Sequence, residues 1–109
     1  MTALEKAEAL LPEMSRGEKA QLMKWVFSDL GEAFAGIEKT PGVCGGSACI
    51  VRTRIPVWLL VEARNAGASE AALLKSYPSL RAEDLINAWA YYRANKAEID
   101  REIRENEEV

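Results

Sequence analysis

The 109-residue chain has no histidine and only two cysteines, Cys44 and Cys49. Without histidine the commonest general base is missing, and nucleophilic triads that rely on imidazole are excluded. Two thiols alone cannot complete a four-ligand zinc site, so no metal and no cofactor is expected. A disulfide between them is conceivable, but in a reducing compartment they serve better as small apolar fillers. Long hydrophobic runs are also lacking. The stretch Trp58 to Val61 is soon broken by Glu62 and Arg64, which is too short for a membrane span. The N-terminus lacks the basic-then-apolar pattern of a signal peptide, so a cytoplasmic protein is expected. A phosphate loop is missing too: Gly45-Gly46 is followed by Ser47-Ala48, where Lys-Ser or Lys-Thr would be needed. These glycines are expected to serve turns with positive φ. No catalytic constellation remains, and enzyme function is not expected.

Hydrophobic residues make up 49% of the chain and charged residues 28%, which allows a modest core and argues against global disorder. The net charge of −3 is unevenly spread. Residues 1–36 carry four basic and six acidic side chains, residues 37–95 seven and five, and residues 96–109 three and six. The middle is weakly basic. It permits contact with nucleic acid without the strong basic footprint that would demand it.

Thr2 to Leu11 has a helical face of Leu4, Ala7, Leu10 and Leu11, and Pro12 interrupts it. Ser15-Arg16-Gly17-Glu18 has the form of a capping box. The helix it starts is expected to reach about Ala35, with Met23, Val26, Phe27, Leu30 and Phe34 as a buried stripe. Packing or dimerisation is the natural role for this pair of helices. Cys49 to Ile55 alternates like a strand, with Cys49, Val51, Thr53 and Ile55 on one face and Ile50, Arg52 and Arg54 on the other. A lone strand is unstable, so it needs a partner: the Ile37 to Lys39 segment, a second subunit or another protein. Arg52 and Arg54 could together touch a phosphate backbone. Beside the helix start, Arg54 is better suited to a structural role. For Arg52 both readings stay open.

Pro56 suits the first turn of a helix. Val57 to Ala66 is apolar nearly all round, which marks a central core helix ended by Gly67. Ser69 caps a short helix from Glu70 to Tyr77, and Pro78 stops it. A long helix begins near Ala82. Three helices with tight turns, a short second and a longer third match a helix-turn-helix unit. Arg81, Glu83, Asp84 and Asn87 would then stand at the exposed start of the recognition helix, with Leu85, Ile86 and Trp89 facing inwards. Arg81 and Asn87 are suitable base readers, whereas two carboxylates are unfavourable near phosphates. Leu85, Trp89, Tyr92, Lys96, Ile99 and Ile103 continue at heptad spacing. Ile99 and Ile103 thus lie beyond a tri-helical core and are expected to meet the N-terminal helices, a second subunit or another protein. Arg101 and Arg104 could reach into an acidic partner site, although surface pairing with Glu98, Asp100 or Glu105 is the plainer reading.

Gly36-Ile-Glu-Lys-Thr-Pro-Gly-Val-Cys-Gly-Gly, followed by Thr53-Arg-Ile-Pro-Val-Trp58, resembles the domain-of-unknown-function family 433. Gly67, Tyr77-Pro78, Leu80, Glu83-Asp84, Ala88 and Tyr91 extend the resemblance over residues 36 to 93. Where that family often has Lys-Pro after the glycine pair and glycine before Thr-Arg, this chain has Ser47-Ala48 and Arg52. The family's usual helix cap is replaced by Arg81. The resemblance implies a mainly α protein: a tri-helical, homeodomain-like helix-turn-helix (36–95) preceded by a short β-strand or hairpin segment. An N-terminal helical extension (1–35) and a C-terminal helical tail (96–109) flank it. It also implies a VapB-type antitoxin that silences a toxin of PIN-like nuclease fold and, as a homodimer, represses operator DNA. Arg52, Arg54, Arg81 and Asn87 are the candidate DNA contacts. Ile99, Arg101, Ile103 and Arg104 are the candidate partner contacts. A protein-interaction module with a vestigial helix-turn-helix is the alternative.

Overall fold

A computed structural model describes residues 1–30 and 33–107. The chain is mainly helical with one small antiparallel sheet, and it divides into two compact units, Met1–Ala33 and Phe34–Val109.

The first unit contains α1 (Ala3–Leu10), a 3-10 turn at Leu11–Glu13, and α2 (Arg16–Leu30). Both helices start at reciprocal caps. The Glu5 amide donates to Thr2 Oγ1 at 3.1 Å, and the Thr2 amide donates to Glu5 Oε1 at 3.2 Å. Ser15 and Glu18 form the same box with distances of 2.9 and 3.1 Å, as their spacing predicts. The expected extension of α2 to Ala35 crosses residues 31–32, outside the described residues. The expected buried stripe is not met: none of the described residues of α1 or α2 is buried, and Met23 and Phe27 are 70% and 78% exposed. Periodicity marks a face that asks for cover, but some thirty residues are too few to bury one alone. Phe34 belongs elsewhere. It stands in the second unit, edge-on to Tyr91 with ring centroids 5.1 Å apart.

The second unit is built on α3 (Val57–Asn65), whose Val57, Leu60 and Val61 are fully buried. Gly67, at φ +102°, closes α3. Its amide donates to Arg64 O and that of Ala68 to Ala63 O, both at 3.0 Å, a Schellman ending that a residue with a Cβ would strain. Ser69 caps α4 (Glu70–Ser76) by accepting from the Ala72 amide at 3.1 Å. After the turn through Pro78, α5 (Ala82–Ala94) packs Leu85, Ala88 and Trp89 inward. The Trp89 indole donates to Glu70 on α4 at 3.1 Å, and the Arg64 guanidinium of α3 lies 4.0 Å above its ring. One side chain thus ties three helices.

The long final helix is not continuous. Asn95 breaks it at φ −132° and ψ 40°, its side-chain amide donating to Tyr91 O at 3.1 Å. This is local competition of the kind asparagine favours. The chain then folds back as α6 (Lys96–Glu107), which packs against α3. Ile99 is fully buried, and Ile103 packs on the same core. Residues 96–107 are therefore part of the core rather than a tail beyond it. The apolar heptad positions find their cover on α3 of the same chain.

The expected strand from Cys49 to Ile55 is also shorter. β1 (Ile37–Glu38) pairs antiparallel with β2 (Cys49–Ile50), Ile37 opposite Ile50 and Glu38 opposite Cys49. The Ile37 segment is thus the partner among the three candidates. Beyond Ile50 the chain turns instead of extending. Thr53 Oγ1 donates to Ile50 O at 2.8 Å and accepts from the Ile55 amide at 3.0 Å. The Ile50 amide donates to Ile55 O at 3.0 Å, which closes a tight hairpin. A threonine hydroxyl that serves both sides of a turn competes with the ladder, and alternation alone does not reveal it.

Burial separates the two ends of the chain. Ile99→Ala should destabilise the second unit by about 2–5 kcal/mol, because it removes buried methylenes and leaves a cavity. Phe27→Ala should change stability by less than about 0.5 kcal/mol in the isolated protein. Urea unfolding followed by tryptophan fluorescence checks both.

Candidate functional site

The hairpin that replaces the long strand places its two arginines differently. Arg52 lies in the left-handed region at φ +68°. Its guanidinium reaches both carboxylate oxygens of Asp84, at 3.3 and 3.1 Å, and both side chains are largely buried. Asp84 is 3% exposed and also accepts from the Arg81 amide at 2.8 Å. One carboxylate therefore caps α5 from its third position and anchors the hairpin. The interaction is structural, and Arg52 is not free to meet a phosphate backbone. Arg54 shows the reverse. Its side chain is exposed, and only its carbonyl is used, accepting from the Cys44 thiol at 3.1 Å. The structural role expected for Arg54 belongs to Arg52. The alternation that put both on one face fails at the turn.

Arg54 and Arg52 line one side of an open groove of about 440 Å³, with Glu38, Thr40, Val43 and Thr53. Its lining holds Glu38 beside the two cations, and Asp84 pairs with Arg52. At the start of α5, Arg81 and Glu83 are exposed as expected, but the two expectations beside them are reversed: Ile86, expected inside, is 64% exposed, and Asp84, expected outside, is buried by its role as cap and ion-pair partner. Asn87 is half-buried against the Gly36 turn. A Cβ on Gly36, which has φ +70°, would lie 2.5 Å from Asn87 Nδ2. Asn87 therefore packs on β1's approach rather than standing clear as a base reader. The exposed start of this helix is one base, one acid and an isoleucine.

α6 carries a polar cluster. Glu98 accepts from Lys39 Nζ at 2.6 Å and from the Tyr91 hydroxyl at 2.7 Å. Burial opposes its ionisation, but these donors outweigh burial and hold Glu98 below the usual carboxylate range. The Glu98 hydrogen bond chiefly raises Lys39, whereas burial is the main cause that raises Tyr91. Ser47 donates to Glu102, whose other oxygen is buried without a protein partner. Arg101 pairs with Glu105 at 3.6 Å, and Arg104 is exposed. Arg101 thus has the surface partner expected of an i,i+4 pair. Ile99 has no surface to offer, and Ile103 offers only part of its own.

Cys44 and Cys49 are free thiols. Burial and a hydrogen bond with Cys44 push the Cys49 thiol up to about 12, which suits a packing role better than nucleophilic chemistry. Among the described residues, no group of three or more Cys, Asp or Glu could hold a metal ion. No described helix is long and apolar enough to cross a membrane.

The signal for the Arg52–Asp84 pair was present in the sequence as an arginine at a position where the resembled family often has glycine. It could not be decoded there, because the pair joins residues 32 positions apart. Arg52→Gly and Arg52→Ala should therefore differ. Both lose the ion pair, but glycine relieves the left-handed backbone, so Arg52→Gly should be the more stable by about 1 kcal/mol in chemical denaturation.

Glu98 gives a pH signature. A lowered carboxylate contributes stability above its unfolded pKa, and that contribution is lost as pH falls through its folded value. Glu98→Gln should cost about 1–2 kcal/mol at neutral pH. Its deficit should shrink as pH falls below the ordinary value of 4.5, read by urea midpoints across the acid limb.

Residues 37–92 match the family described as Protein of unknown function (DUF433). No curated protein matches the chain. The crystal structure, at 2.00 Å resolution, of a DUF433 member protein from Anabaena variabilis ATCC 29413 is similar over 95% of this chain and 99% of that one. The identity is 41% and the TM-score 0.64. The matched segment begins at β1 and ends within α5, and the likeness to the solved structure runs well past it at both ends, so the chain belongs to the DUF433 family.

Proposed function

We propose that the protein acts by binding another protein, in the manner of an antitoxin that docks on and silences its toxin. The observation that carries this reading is the first unit, in which none of the described residues of α1 or α2 is buried while Met23, Val26, Phe27 and Leu30 stand exposed along one face of α2. Helices of 8 and 15 residues gain most of their stability from covering such faces. Contiguous exposed apolar surface marks an interaction site. The second unit, with its own core, then serves as the rigid carrier. The VapB-type resemblance supplies the class of partner, a toxin of PIN-like nuclease fold.

A second reading keeps DNA as an additional ligand. Here α3, α4 and α5 form a tri-helical, homeodomain-like helix-turn-helix, and a homodimer sets two of them on an operator. The short α4, the tight turn into a longer α5, and the exposed Arg54 and Arg81 favour it. The exposed Glu83 and Ile86 on α5, with Arg52 held by Asp84, favour protein binding over DNA.

Co-expression with the product of the adjoining reading frame, followed by native mass spectrometry and a mobility-shift assay on the DNA upstream of the gene, separates the readings. A stable heteromeric complex without a salt-sensitive shift is expected. A shift that weakens with salt and disappears in Arg54→Ala/Arg81→Ala would establish the second reading. Neither complex nor shift would remove both.

A further inference from the structure

The stripe on α2 is not purely apolar. At helical spacing, Arg16 and Lys19 continue the face of Met23, Val26, Phe27 and Leu30 toward the N-terminus. The acidic Glu18 and Asp29 fall on the other side, where Glu18, Leu22 and Trp25 line a separate small cleft of about 160 Å³. All six stripe residues are exposed. Neither Arg16 nor Lys19 has an ion-pair partner among the described residues.

The first turn of α2 holds Arg16 on this face and the capping Glu18 on the other, and its last turn has no base. The arrangement disfavours a second copy as the cover. In a parallel pair Arg16 meets Arg16 and Lys19 meets Lys19. In a fully overlapped antiparallel pair these cations are pressed onto Leu30 and Phe27 of the other copy with no carboxylate on that face. Burying unpaired cations is costly in either case.

We infer that α2 docks by the face of Arg16, Lys19, Met23, Val26, Phe27 and Leu30 into an apolar groove on a partner protein, and that the groove carries carboxylates at the end receiving Arg16 and Lys19. This rests on the protein-binding reading above and adds the face, its direction and the partner's chemistry. The apolar half excludes water and supplies area, while the cations set the register, so that the helix enters the groove one way round.

The test uses the full chain with photoreactive benzoylphenylalanine at position 27 or, separately, at position 25, illuminated in the cells that produce it. The expected result is an adduct with one acidic protein from position 27 and little from position 25. Arg16→Glu/Lys19→Glu should reduce adduct yield by about tenfold or more, as loss of paired interfacial charges does. Asp29→Lys should leave the yield unchanged. Helix content by circular dichroism controls for folding. An adduct of twice the chain mass, or a crosslink within one chain, would overturn the inference. Equal yields from both positions, or indifference to charge reversal, would overturn the face and leave the protein-binding reading standing. No adduct from either position would remove both.

Discussion

The core helix α3 is apolar on nearly every side, and the second unit follows from the need to cover it. Val57, Leu60 and Val61 are fully buried, and Trp58, Leu59 and Ala63 are partly buried beside them. At roughly 25 cal/mol per Å² of apolar surface, leaving one flank open would forfeit several kcal/mol of a marginal total. α5 covers one side with Leu85, Ala88 and Trp89, and α6 covers another with Ile99. A helix that ran straight on from Ala82 to Glu107 would carry Ile99 away from α3. The break at Asn95 turns a heptad pattern into a return path.

A second constraint holds the hairpin to this bundle. Asp84 is nearly inaccessible, so its charge must be met, and Arg52 meets it from a strained backbone. The same carboxylate satisfies the Arg81 amide, which lacks a side-chain cap of its own. Three elements therefore depend on one buried charge: the hairpin after β2, the turn before α5, and the first turn of α5. Removing either partner of such a pair costs more than the pair contributes, since the survivor is left buried and uncompensated. This also explains why the obvious basic pair, Arg52 and Arg54, divides into one structural and one exposed residue.

The first unit shows the opposite condition. Its helices start well, with two capping boxes, yet none of their described residues is buried. Good caps fix where a helix starts. They do not replace tertiary cover. Arg16 and Lys19 on the apolar side of α2, with Glu18 and Asp29 on the other, add direction to that exposed surface.

Local chemistry was legible in the residues. The Ser15–Glu18 box, Ser69 as a cap, the stop at Gly67 and the turn at Pro78 all depend on neighbours within a few positions, where spacing and side-chain type suffice. The family pattern was legible for the same reason, since its glycines and Thr-Arg-Ile-Pro serve local turns. Tertiary structure alone decided what each apolar face meets. Met23 and Phe27 resemble Leu85 and Ile99 in type and spacing, yet the first pair is exposed and the second fully buried. Periodicity identifies which face avoids water. The cover depends on contacts distant in sequence: Ile99 with α3, Arg52 with Asp84, Lys39 with Glu98. Hydrophobic burial is non-directional, so its pattern along the chain names no partner. The choice is made only when the whole chain competes for the same surface.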